Sequence, residues 1–177
     1  MAADNGPVPL GRESTFIRQA VAHANMRHHR GRGRTIHLRG PTPRVVAVLT
    51  AELVAQLGIV TTARDVVMTP DVLQHIVDRR AVVSRDDVDL AANRLHEALA
   101  HPCYLEAGRS KPTVWEVIGF VPSAGRHVLV ALKFLRASSD AGQDAWWVQT
   151  AHPFGSKTLR TRLARGELTA LGSTSCP

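Results

Sequence analysis

The sequence predicts an α+β domain, with N-terminal helices packed on a four-stranded antiparallel sheet. Three observations carry this prediction. Before Pro102, apolar residues recur mostly at helical spacing. After it come runs rich in β-branched and aromatic residues. The connectors between those runs are short and rich in Gly, Ser and Pro, as an antiparallel meander requires. Helices segregated ahead of a meander belong to an α+β architecture rather than an alternating α/β one. A chain of 177 residues is long enough for one domain with one core.

Residues 1–11 lack periodicity and read as a frayed terminus. From Thr15 to Met26, Phe16, Ile17, Ala20, Val21 and Ala24 form one helical face. Arg27–Arg34 (RHHRGRGR) reads as a mobile basic loop, and Thr35–Arg39 alternates like a half-buried strand. Arg44–Leu49 is a β-branched run and a strand. Thr50 caps a helix ending at Gly58. Val66-Val67-Met68 is a short strand. Thr69-Pro70 then opens a helix through Arg80, with Pro at the first helical position. Ser84-Arg85-Asp86-Asp87 resembles a capping box and starts a helix to about Ala100.

The four meander strands are expected at Cys103–Glu106, Thr113–Val121, His127–Ala137 and Ala145–Ala151. Ser156–Arg165 reads as a last short helix or turn, and LGSTSCP as a tail.

The formal net charge of +7 is unevenly placed. Residues 1–44 carry +6, residues 45–100 carry −3 and residues 101–177 carry +4. Basic ends favour a polyanion such as nucleic acid. Arg outnumbers Lys 19 to 3, so GC-rich coding is the competing explanation of that charge. No run approaches the length of a membrane span, and no signal peptide is recognisable. Cys103 and Cys176 form no metal spacing and no disulfide framework, so a cytoplasmic, reduced protein is expected. Metal and nucleotide motifs (HExxH, CxxC, a phosphate-binding glycine loop) are missing, so neither metal nor cofactor is expected.

The strongest local constellation is His75-Ile76-Val77-Asp78-Arg79-Arg80. Arg80 falls within the apolar arc of its helix, and His75 and Arg79 form an i, i+4 pair on the border. A guanidinium aimed at a core needs an anion or helix-end carbonyls; the bland alternative is a fraying last turn that reaches water. A second group comprises Thr150, His152, Ser156, Lys157 and Arg160. Hydroxyls, a His and two cations after a strand suit a phosphate, while a strand-end Thr before a solvated basic helix is the plain alternative. Alternation along Trp146–Thr150 places Thr150 on the face of Trp146 and Val148. Lys133 interrupts the apolar run Val128–Leu135.

The order of these pieces resembles the metal-independent ribonuclease domains grouped as barnase–EndoU–colicin–RelE-like, in their phage and polymorphic-toxin branches. His75-Ile76 and Arg79 match the family's helical His-Ile-x-x-Arg-His pattern, with Arg80 standing where a second His is usual. His101-Pro102 matches its "nP" position and Thr150 its terminal-strand Thr. The resemblance spans about residues 44–165. It leaves 1–43 as a basic extension and 166–177 as a flexible tail.

The resemblance implies RNA cleavage by the substrate's own 2′-hydroxyl, and a toxin role. His75 would be base or acid, Arg79 and Arg80 would grip phosphate, and Thr150 would donate to a phosphate oxygen. Lys133, His152, Ser156 and Arg160 would bind substrate. RNA and an immunity or antitoxin protein are the implied partners. A noncatalytic nucleic-acid-binding or toxin-related regulatory module is the alternative. A protein-interaction or small-ligand domain is the third reading.

Overall fold

The structure is a computed structural model, and it describes residues 43–80, 84–106, 113–136, 144–172 and 176. The expected helix Thr15–Met26, the basic loop Arg27–Arg34 and the strand Thr35–Arg39 lie outside them.

Seven strands form one mixed sheet. They are β1 (Arg44–Val48), β2 (Asp65–Met68), β3 (Pro102–Glu106), β4 (Val114–Val121), β5 (Arg126–Leu135), β6 (Ala145–Phe154) and β7 (Leu168–Ala170). Their order is β1-β2-β6-β5-β4-β3-β7. All neighbours are antiparallel except β2 and β6, which run parallel with Val66 opposite Trp146 and Val67 opposite Trp147. The β3–β6 meander is present, but the expected four-stranded sheet is corrected to seven strands. Short apolar strands such as Val66–Met68 must pair their backbone groups somewhere. Periodicity announces such a strand without naming its partner, and here β1 and β2 extend the meander at one edge and β7 at the other.

Five α-helices are described: α1 (Ala51–Gln56), α2 (Pro70–Arg80), α3 (Arg85–Val88), α4 (Leu95–Ala100) and α5 (Ser156–Ala164). Helix α5 follows the meander, where Ser156–Arg165 reads as a short helix or turn, so the helices are not all N-terminal to the sheet. Local capping explains the starts. The hydroxyls of Thr50, Thr69 and Ser84 accept the backbone N–H of Leu53, Val72 and Asp87 at 3.1, 3.2 and 3.2 Å.

The continuous helix expected from Ser84 to Ala100 is interrupted by a π-helical turn, Asp89–Asn93. The Asp89 carboxylate accepts Asn93 Nδ2 at 2.6 Å and Arg94 Nε at 2.8 Å, while its carbonyl accepts Arg94 N–H at 3.2 Å. Those bonds hold the wider i→i+5 turn in place of an α-turn.

Helices α1–α4 cover one face of the sheet. Leu53, Leu73, Ile76, Val77, Leu95 and Leu99 pack on Val117, Val128, Val130, Leu132, Trp146 and Val148, all buried. Gly119 lets α4 approach β4, since a Cβ there would lie 1.8 Å from the Ala98 carbonyl oxygen.

The segment expected as a flexible tail is structured in part. Strand β7 pairs with β3, and Leu171 N–H donates to the Cys103 carbonyl at 2.9 Å. Cys103 and Cys176 are joined by a disulfide, which overturns the reading of reduced, unlinked cysteines. Residues 73 positions apart meet only because β7 folds back along β3. No helix among the described residues is long and apolar enough to cross a membrane.

Candidate active site on the second face of the sheet

The register defines what lies opposite the helical layer. One row across this second face reads Leu168, Glu106, Glu116, Ala131 and Thr150, from β7 to β6. A second row reads Val114, Lys133 and Trp147, and a third reads Ala170, Tyr104, Ile118, Leu129 and His152. Helix α5 leaves the end of β6 and folds over this face. Its Leu159 packs with Ile118, Leu129, Ala131 and Phe154 in a smaller core.

A bulge decides which residues join the site. Ala131 pairs with Thr150 but Leu132 pairs with Val148, so Gln149 is the extra residue. The bulge moves Thr150 off the face of Trp146 and Val148, correcting the simple alternation. Thr150 and His152 therefore share a face with Lys133 and Glu116. All four are half-buried.

Two carboxylates form the electrostatic centre. Glu106 is buried and accepts a bond from the Arg162 guanidinium of α5. Arg162 also lies over the Phe154 ring, 5.3 Å from its centroid. Glu116 stands directly opposite Glu106 on the neighbouring strand, so the two carboxyls face one another. Burial, and then the Glu106 carboxyl, push the Glu116 carboxyl above the ordinary glutamate range, while Arg162 pulls the other way. A carboxyl so placed accepts a proton more readily than a solvated one. Lys133 sits one step diagonally from Glu116, at about 7–8 Å between backbones. His152 stacks loosely beside Phe154, with ring centroids 6.5 Å apart.

The structure puts Lys133, Thr150 and His152 on one face of the sheet and places Ser156 and Arg160, both exposed, on the α5 that crosses that face. It does not bring His75 and Arg79 to them. Both are exposed on α2, which packs in the helical layer through Leu73, Ile76 and Val77, so the sheet stands between. Arg80 ends α2, and its side chain lies outside the described ones. Sequence reasoning missed Glu106, Glu116 and Arg162. The signal available for Glu116 was a charge inside an apolar strand run (WEVIGFV), the same signal that marked Lys133. Glu106 and Arg162 lie 56 residues apart, and nothing local links them.

Searches of family models, curated proteins and solved structures found no match to this chain.

Proposed function

We propose that this domain is a metal-independent ribonuclease whose site is the second face of the sheet. The observation that carries the reading is the Glu106–Glu116 pair, bridged to Arg162, on a face that also holds Lys133, Thr150 and His152. In its ionised form Glu116 takes the proton of the ribose 2′-hydroxyl. The 2′-oxygen bonds to phosphorus as the bond to the 5′-oxygen breaks, and imidazolium His152 gives the departing oxygen its proton. Lys133, Arg162 and Thr150 offset the growing phosphorane charge. The products are a 2′,3′-cyclic phosphate and a free 5′-hydroxyl. This assignment supplies acid and base without the missing second His of the helical motif.

The substrate puts the action in the cytoplasm, whereas the Cys103–Cys176 link suits an oxidising compartment. A toxin that crosses such a compartment before meeting RNA, held in check by an immunity protein, accommodates both.

The test is digestion of mixed labelled RNA in EDTA with Glu116→Gln, His152→Ala, Thr150→Ala and His75→Ala. Cleavage to cyclic-phosphate ends should fall by about 10²–10⁴ in Glu116→Gln, with its melting temperature maintained. Loss in His75→Ala alone would return the site to α2, and no cleavage by folded wild type would reject the enzyme. The separation of His75 from Thr150 favours one second reading, a noncatalytic RNA-binding module, which salt-sensitive binding without cleavage would select.

A further inference from the structure

Helix α5 carries a basic groove that meets the carboxylate site only at Arg162. From Ser156 to Arg165 the chain holds Lys157, Arg160, Arg162 and Arg165 and no acid. Four of these ten residues are therefore cationic, against an overall balance of 22 basic to 15 acidic residues in 177. Lys157, Thr161 and Arg165 follow one another at i, i+4 and i+8, so they form a single ridge roughly 12 Å long. Lys157, Thr158, Thr161, Arg162, Arg165 and Glu167 line an open groove of about 380 Å³ along it. Lys157 makes no ion pair with another described residue, and the Arg165 side chain is 68% exposed although Glu167 lies 3.9 Å away. The Thr161 hydroxyl donates back to the Lys157 carbonyl at 2.9 Å, which leaves its oxygen lone pairs toward solvent. Arg162 is shared, lining the groove and reaching Glu106 on the sheet.

We infer that this groove binds the phosphates of single-stranded RNA flanking the bond to be cut. The inference rests on the ribonuclease reading and adds to it a path for the substrate. Two features favour RNA over an acidic protein. The groove presents cations on a ridge with no apolar anchor among its lining residues, whereas protein interfaces centre on buried aromatic or aliphatic anchors. It also adjoins the proposed reaction centre through Arg162, which lines the groove and bonds Glu106, so a chain lying in it passes beside that centre. Lys157 and Arg165 contact the sugar-phosphate backbone, position the strand and contribute no base preference.

The experiment uses the full chain and a labelled RNA oligomer 2′-O-methylated throughout, which lacks the attacking hydroxyl and reports binding alone. Anisotropy is read against salt for wild type, Lys157→Gln/Arg165→Gln and, as a charge control on the helical side of the sheet, Arg85→Gln. Loss of two phosphate contacts should flatten the slope of log K against log salt by about 1.4 and raise Kd roughly 25-fold at 0.1 M salt. Cleavage of unmodified RNA is measured in parallel. RNA cut by wild type, with affinity and slope unchanged in the double variant, would overturn the groove and spare the ribonuclease. Binding that needs Lys157 and Arg165, without cleavage, would reject the enzyme and keep the groove. Binding weakened equally by Arg85→Gln would show a diffuse charge effect, and retention of an acidic polypeptide in place of RNA would make the groove a protein interface; either overturns the inference.

Discussion

Single residues set the pH behaviour of this domain. His127 is buried, its Nε2 has no hydrogen-bond partner among the described residues, and it lies against Phe120 with ring centroids 5.2 Å apart. Burial holds its pKa below the ordinary histidine value of 6.5. The unfolded chain therefore binds the proton more readily than the folded one. Its contribution to stability is fully present above pH 6.5 and is lost as pH falls below that value. His127→Phe should flatten this dependence, as measured by urea midpoints between pH 5 and 7. Glu116 has the opposite sign. Its raised pKa means that folding favours the protonated form, so its contribution is complete below pH 4.5 and declines as pH rises through the window above. Glu116→Gln should consequently be at least as stable as wild type at pH 7, and chemical denaturation of the two checks this. A loss of cleavage in that variant would then be a loss of chemistry. The same residue shows why the site was only half legible. Lys133 and Glu116 advertise themselves as charges in apolar strands, whereas Glu106 sits at a strand end, where a charge is unremarkable.

At the scale of elements, close approach and local capping set the layers. Helix α4 can lie against β4 only because residue 119 is glycine: the Ala98 carbonyl occupies the place of a side chain. Gly119→Ala should destabilise by about 3 kcal/mol through forced separation of the two elements, visible in the denaturation midpoint. Caps are short-range chemistry, which is why Thr50, Thr69 and Ser84 marked their helices from sequence. The π-turn at Asp89–Asn93 has a similarly local cause but gives no periodic signal, since Leu90, Ala91 and Ala92 are apolar and stay buried through it. The Gln149 bulge matters more for function. One extra residue reverses the facing of everything after it, and it carries Thr150 and His152 to the face of Glu116.

For the whole molecule, the C-terminal segment closes the architecture. Strand β7 covers the free edge of β3, and the Cys103–Cys176 disulfide ties the last residues to the strand that carries Glu106. A loop of 73 residues is long, so the cross-link removes much unfolded-chain entropy, about 4 kcal/mol in the loop-closure model. Cys176→Ser, or reduction, should lower unfolding free energy by about 2–4 kcal/mol in urea titration while leaving the helical-side core folded. Charge is also organised at this scale. The acidic middle, residues 45–100, builds most of the helical layer, while α5 places cations over the second face. Beyond residue 44, the charge thus divides between two sides of different character.

The sequence by itself determined the individual elements: strands near 44–49 and 66–68, the capped helices after Thr50 and Thr69, and the β-rich meander beyond Pro102. Each follows from periodicity and turn or cap chemistry within a dozen residues. Tertiary structure alone decided the parallel pairing of β2 with β6, the return of β7 to β3, the disulfide, and the meeting of Arg162 with Glu106. Those depend on which backbone edges and buried charges find partners across 50 or more residues, and local pattern carries no record of that choice.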